Sequence, residues 1–169
     1  MVENSSAKGD TMSVSQSIGD YLDSQHVSYE RLQHALAFPA QEVAHALHVS
    51  GKHFAKAVML QADGRPVMAV LPASHRLNIQ ELKVELAAKH VEMLPEGELT
   101  KLCPDCELGA FPPFGSLYGM ETLVDRSLAQ SEEIVFNAGS HTDAVRMKYA
   151  DYANLTKPRV GNFGELPLS

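Results

Sequence analysis

Ala55-Lys-Ala-Val-Met-Leu-Gln-Ala-Asp-Gly-Arg-Pro-Val-Met-Ala-Val-Leu-Pro72 is the stretch on which the fold turns. Two apolar runs, Ala55–Gln61 and Pro66–Pro72, flank Ala62-Asp-Gly-Arg65, and Asp-Gly is a turn dipeptide that accepts positive φ. The segment therefore reads as a β-hairpin. Both runs are almost continuously apolar, which predicts strands covered on two faces. Lys56 interrupts the first run. A lysine among Ala55, Ala57, Val58, Met59 and Leu60 is costly unless its ammonium is paired, reaches water or serves a ligand. Two readings stay open for it: a side chain snorkelling or paired with a carboxylate, and a cation lining a pocket for a carbonyl or phosphate oxygen.

Outward from the hairpin, helices and strands mix without strict βαβ alternation, which predicts an α+β fold. Before it, Val14, Ile18, Tyr21 and Leu22 share one helical face, ending near Gln25. A short strand follows over Val27–Leu32, and Pro39 opens a second helix, where its missing N–H costs nothing. After the hairpin, Asn78 with Glu81 resembles a capping box for a helix to about His90. A further short helix covers Glu96 to Leu102. Strands are predicted at Glu121–Asp125, Glu133–Asn137 and Asp143–Tyr149, with Arg126–Gln130 as a polar connection and Asp151–Leu155 as a helical turn. The expected organisation is a polar N-terminal tail over residues 1–12, one domain over 13–156 and a C-terminal tail over 157–169.

Composition narrows the function. A chain of 169 residues that is 44% hydrophobic can bury a real core. A net charge of −7 argues against broad nucleic-acid binding, DNA included, while leaving room for a local basic patch. Met1–Asp10 has no apolar stretch of the signal-peptide kind, and no apolar run has membrane-spanning length, so a cytoplasmic protein without a membrane role is expected. Cys103-Pro-Asp-Cys106 has the CxxC spacing but lacks a second ligand pair, and it runs into a Gly/Pro loop. Two ordinary thiols are expected. His45 and His48, at i and i+3, lack the glutamate of an HExxH motif. No metal and no cofactor is expected.

The chemistry-bearing segment is Gly109-Ala-Phe-Pro-Pro-Phe-Gly-Ser-Leu-Tyr-Gly119. It holds three glycines, two adjacent prolines and three aromatic residues. Neither a helix interior nor a central strand tolerates that mixture. Such a loop is either a stiff connector with aromatic plugs or a rigid wall that presents backbone N–H groups to a ligand. Gly139-Ser-His141, at a predicted strand end, offers more N–H groups, and His34 lies close to the same sheet.

The order of these features resembles the YbaK family, which includes the editing domain of bacterial prolyl-tRNA synthetases. The matching elements are His34 before Pro39-Ala-Gln-Glu-Val-Ala44, then Ala55-Lys56-Ala-Val, Val70-Leu-Pro-Ala73, Gly109-x-x-x-Pro113-Phe-Gly115, Val124-Asp125 and Asn137-Ala-Gly139. Two departures are Pro39, where many relatives have threonine, and Ala57, where threonine often follows the lysine. The resemblance implies a mixed, partly barrel-like sheet surrounded by helices. It also implies a trans-editing hydrolase that deacylates mischarged aminoacyl-tRNA, with tRNA(Pro) carrying Ala, Cys or Ser as the expected substrate. The implied partners are the aminoacyl-tRNA 3′ end and prolyl-tRNA synthetase. On this reading Lys56, Gly109 and Gly139 are catalytic, and His34, Phe38, Pro113, Phe114, Gly115, Ser140 and His141 bind substrate. The alternatives are a non-catalytic binding module of the same fold and a hydrolase of other small acyl esters.

Overall fold

The computed structural model describes residues 14–167. The expected tail over residues 1–12 lies outside them. The chain runs α1 (Val14–Ser24), β1 (Tyr29–Gln33), α2 (Ala40–Ala46), β2 (Phe54–Ala62), β3 (Arg65–Pro72), β4 (Arg76–Leu77), α3 (Ile79–Leu86), β5 (Val91–Met93) and α4 (Glu96–Leu102). A 3₁₀ turn over Gly115–Tyr118 precedes β6 (Glu121–Asp125), α5 (Arg126–Ala129), β7 (Glu133–Asn137), β8 (Asp143–Lys148), α6 (Tyr149–Thr156), β9 (Arg159–Gly161) and β10 (Gly164–Glu165).

The hairpin forms as its sequence dictates. Ala55 pairs with Pro72 and Ala62 with Arg65, and Asp63 and Gly64 both take positive φ, 50° and 83°, as a two-residue turn of matching twist requires. Around it the sheet has the order β1-β8-β7-β2-β3-β6-β9, with β5 also on β2. The pairs β2·β7, β3·β6 and β6·β9 are parallel and the other pairs of this sheet antiparallel. The α+β expectation therefore holds, as a mixed sheet with helices packed against it.

Side-chain alternation gives the sheet two covered faces. On one, Ala55, Met59, Met68 and Phe136 pack with Ile18 and Leu22 of α1, Phe111, Phe114 and Tyr152. On the other, Phe54, Ala73 and Val135 meet Val43 and Ala44 of α2, and Leu60, Val67 and Leu71 meet Leu82 and Leu86 of α3. β3 is buried from Val67 onward, while Lys56, Ala57 and Val58 of β2 are only half-buried, so double coverage fails where the lysine sits.

Four local features depart from the sequence expectation. Asn78 caps α3 by accepting the Glu81 N–H at 3.0 Å, but α3 stops at Ala87, whose φ of 52° breaks the helix before His90. Arg126–Ala129, expected as a connection, is a helical turn capped by Asp125. The expected C-terminal tail is wrong as a description of residues 157–165. β9 pairs with β6, β10 pairs with β4, and Phe163 is buried. The Asp125 carboxylate holds this segment, accepting N–H groups of Phe163 at 2.9 Å and Gly164 at 2.7 Å. Cys103 and Cys106, expected as ordinary thiols, are joined in a disulfide with Cα atoms 5.3 Å apart.

Candidate active site

Three chain segments meet where β1 and β7 end and β8 begins. His34 leaves β1 with its N–H on the Thr142 carbonyl at 3.0 Å. The Phe38 ring lies against the His141 ring, centroids 4.9 Å apart. Glu107 ties the cysteine turn to the same place: its N–H donates to the Gly139 carbonyl at 2.8 Å, and its carboxylate accepts the His141 N–H at 2.7 Å. His141 Nε2 donates to the Leu108 carbonyl at 2.8 Å, and a Cβ on Gly109 would lie 3.5 Å from His141 Cε1. His34, Phe38, Gly109, Gly139, Ser140 and His141 are thus one loop cluster.

Lys56 joins this cluster through sheet register rather than contact. Phe54 pairs with Val135 and Ala55 with Phe136 in the parallel β2·β7 ladder, and continuing that register by one residue sets Lys56 level with Asn137. Alternation puts both on the face of Phe54 and Val135. Lys56 has no carboxylate partner among the described residues, and burial pushes its ammonium below the usual lysine range. The carboxylate pair is thus absent among the described residues, which leaves a snorkelling side chain and a cation lining a pocket.

The loop that opens the site is stiffer than its glycine content suggests. Gly139 and Ala110 N–H groups are spent on the Ala110 and Glu107 carbonyls, at 2.8 and 3.0 Å. Gly115 donates to Thr122 Oγ1 at 3.0 Å, and a Cβ there would meet the Met120 carbonyl at 2.8 Å. The Pro113 carbonyl accepts the Tyr152 hydroxyl at 2.6 Å. Phe114 is fully buried against Tyr21, Phe136 and Tyr152, a burial worth about 1.5–3 kcal/mol.

These contacts show how five of the residues expected at the site are engaged. Gly139 has no free N–H to offer an oxyanion and instead pins Ala110. Pro113, Phe114 and Gly115 are committed to the scaffold behind the loop. Ser140 is likewise a turn residue, its hydroxyl donating to Asp143 at 2.7 Å and accepting from the Asp143 N–H at 3.1 Å. The N–H groups of Gly109 and Phe111 are the ones along 109–115 without an acceptor among the described residues.

Sequence reasoning missed the pattern of unpaired acceptors. Among the described residues, three buried side-chain polar atoms lack a partner: His34 Nε2, Asn137 Oδ1 and His141 Nδ1. His34 Nδ1 lies 2.8 Å from the Ala35 carbonyl, and a carbonyl only accepts. In each imidazole the ring nitrogen facing a carbonyl therefore carries the hydrogen, and in the one-hydrogen tautomer that this fixes the other presents a lone pair. All three orphans are then acceptors. Each costs roughly 1–3 kcal/mol while unsatisfied, an expense that a donor-bearing ligand removes. The sequence marks Asn137 only through the Asn137-Ala-Gly139 match, and nothing in it marks an unpaired acceptor.

The aminoacyl-tRNA editing domain family matches residues 34–155, which contain the whole cluster and Lys56, and the chain belongs to this family. It is an aminoacyl-tRNA deacylase, an ester hydrolase. A curated relative is the multifunctional Ser/Thr-tRNA deacylase ProXp-y of Escherichia coli (strain K12), 29% identical over 114 residues, covering 64% of this chain and 68% of the relative. The fold is similar to that of the hypothetical protein APE2540 (TM-score 0.77, 22% identity, 88% of this chain and 99% of that one). It is also similar to that of a candidate trans-editing enzyme for prolyl tRNA synthetase (TM-score 0.76, 16% identity, 90% of this chain and 97% of that one). Among the described residues no helix is long and apolar enough to cross a membrane.

Proposed function

We propose that the protein acts in trans on tRNA carrying a small wrong amino acid, with the seryl ester as its first substrate and tRNA(Pro) as the expected carrier. The observation that carries this reading is the family match over the segment that holds Lys56 and the 109–115 loop. The relative's action on Ser/Thr-tRNA supports the choice of a hydroxy amino acid, and the likeness to a candidate trans-editing enzyme supports prolyl-tRNA synthetase as a partner. A cytoplasmic location accords with a tRNA substrate.

An aminoacyl ester is already activated, so positioning and stabilisation of the developing oxyanion suffice. The Gly109 and Phe111 N–H groups are the donors left for the ester oxygen. Lys56 supplies the positive charge, either to that oxygen or to the terminal phosphate. The attacking group is water, whose oxygen joins the aminoacyl carbon. The bond broken joins the aminoacyl carbon to the ribose oxygen, which leaves with a proton. His34, Phe38 and His141 form the wall beside the loop.

A deacylation screen tests this directly: Ser-, Thr-, Ala- and Cys-tRNA(Pro) are incubated with the protein and with Lys56→Ala, and loss of the ester is followed. Hydrolysis of the seryl ester, lowered on the order of 10²–10³ in the variant, is expected. Unchanged turnover in Lys56→Ala would remove the lysine from the mechanism, and a wild type that hydrolyses only Ala- or Cys-tRNA would replace the seryl assignment.

A further inference from the structure

We propose that Asn137 anchors the substrate: its side-chain carbonyl accepts a hydrogen bond from an N–H or O–H donor of the aminoacyl group, beside Lys56. This rests on the deacylase reading above and names a contact within it. Asn137 is 5% exposed and closes β7, paired with Ala144 of β8, where asparagine is a poor strand former. Its Oδ1 is buried and bonded to nothing among the described residues. An asparagine kept for structure would use that oxygen to cap the turn that follows. That task falls elsewhere: the Ala138 N–H donates to the Asp143 carbonyl at 2.9 Å, and Ser140 closes the turn.

Position supplies the second half. Asn137 and Lys56 are level on adjacent strands and share a face, so a bare acceptor stands next to an uncompensated donor. A ligand that satisfies both must bring an acceptor and a donor on neighbouring atoms. An aminoacyl ester does so, with its carbonyl oxygen on one side and its α-ammonium or a side-chain hydroxyl on the other. The bare lone pairs of His34 and His141 at the same end of the sheet extend the demand for donors.

Asn137→Leu removes the acceptor while keeping the same branching, and Asn137→Asp keeps an acceptor at similar volume. Both are assayed with wild type on Ser-tRNA and Ala-tRNA, each with a free and an N-acetylated α-amine, and both are melted. Asn137→Leu is expected to melt about 2–4 °C higher, because an unsatisfied polar group is gone. Its kcat/KM is expected to fall at least about tenfold, the equivalent of one lost hydrogen bond, with Asn137→Asp recovering most of it. A loss confined to the seryl ester assigns the side-chain hydroxyl as donor. A loss on both esters, matched in wild type by N-acetylation, assigns the α-ammonium. Should Asn137→Leu not fold, Asn137→Val, a good strand former whose side chain has no hydrogen-bonding atom, carries the same test. Wild-type rates in all variants would overturn the Asn137 assignment alone. So would a lower melting point in Asn137→Leu with activity intact, the signature of a purely structural asparagine. A wild type inactive on every ester would sink the deacylase reading and this inference with it.

Discussion

Glu107 and His141 are held to each other through the backbone, the Glu107 carboxylate accepting the His141 N–H at 2.7 Å while the Glu107 N–H donates to Gly139 two residues earlier. This reciprocal clamp sets the height of the His141 ring, which the Leu108 carbonyl then orients. Glu107→Ala is expected to loosen the ring and lower deacylation about tenfold, since a hydrogen bond to a charged group contributes about 1.5–3 kcal/mol. Glu107→Gln, which keeps an acceptor, should retain most of the rate. Steady-state kinetics on Ser-tRNA separate the two, and equal losses would show that the carboxylate charge, not the hydrogen bond, matters.

Gly109 has a φ of 85°, and its missing Cβ faces His141. Gly109→Ala strains the backbone by about 1 kcal/mol, a shift of a few degrees in Tm. If its N–H is an oxyanion donor, the rate falls far more than stability, on the order of 10²–10³. A rate loss no larger than the stability loss would reduce the residue to a turn.

Lys56 makes stability depend on pH with a definite sign. Burial disfavours its charged form, so its folded value lies below the 10.5 of the free side chain. The unfolded chain then binds that proton more tightly, and stability rises with pH between the folded value and 10.5, with the full penalty present below the window. Lys56→Met is expected to be more stable than wild type at neutral pH, with the gap narrowing as pH rises through that window. Urea midpoints of both proteins at the two ends measure it, and a gap independent of pH would mean that the ammonium is fully solvated.

Asp125 has the opposite dependence. Burial pushes its carboxyl up, but hydrogen bonds from Ser127, Phe163 and Gly164 more than offset this and hold it below the usual carboxylate range. Its contribution is present above the unfolded value of 3.8 and is lost as pH falls through the lower folded value. Asp125→Asn should cost about 2–3 kcal/mol at neutral pH and flatten acid unfolding, read from the denaturant midpoint at successive pH values. A neutral substitution would mean that β9 and β10 hold without it.

The hairpin and the short helix at Glu96–Leu102 were legible because local chemistry decides them: Asp-Gly demands its turn, and the apolar runs demand their pairing. The 109–115 loop was legible as stiff, but not its division of labour. Which N–H groups are spent depends on carbonyls distant in sequence, such as that of Ala110 for Gly139. The C-terminal strands were hidden for the same reason. Arg159–Gly161 has no period of its own and becomes a strand because β6 offers an open edge and Asp125 offers a carboxylate. Asn137 was legible as part of the Asn137-Ala-Gly139 match but not as an orphaned acceptor, which is a property of its surroundings.

The two strands that close the large sheet come from outside the stretch shared with the editing family. That stretch spans residues 34–155, whereas β1 ends at Gln33 and β9 begins at Arg159. Excising the shared stretch alone would strip β8 and β6 of their outer neighbours and leave two rows of unpaired backbone groups, ready to recruit strands from other molecules. The portion that carries the chemistry is therefore not a portable unit: here the flanking residues serve as selvedges, and a minimal fragment of this protein would be lost to aggregation before its catalysis could be judged.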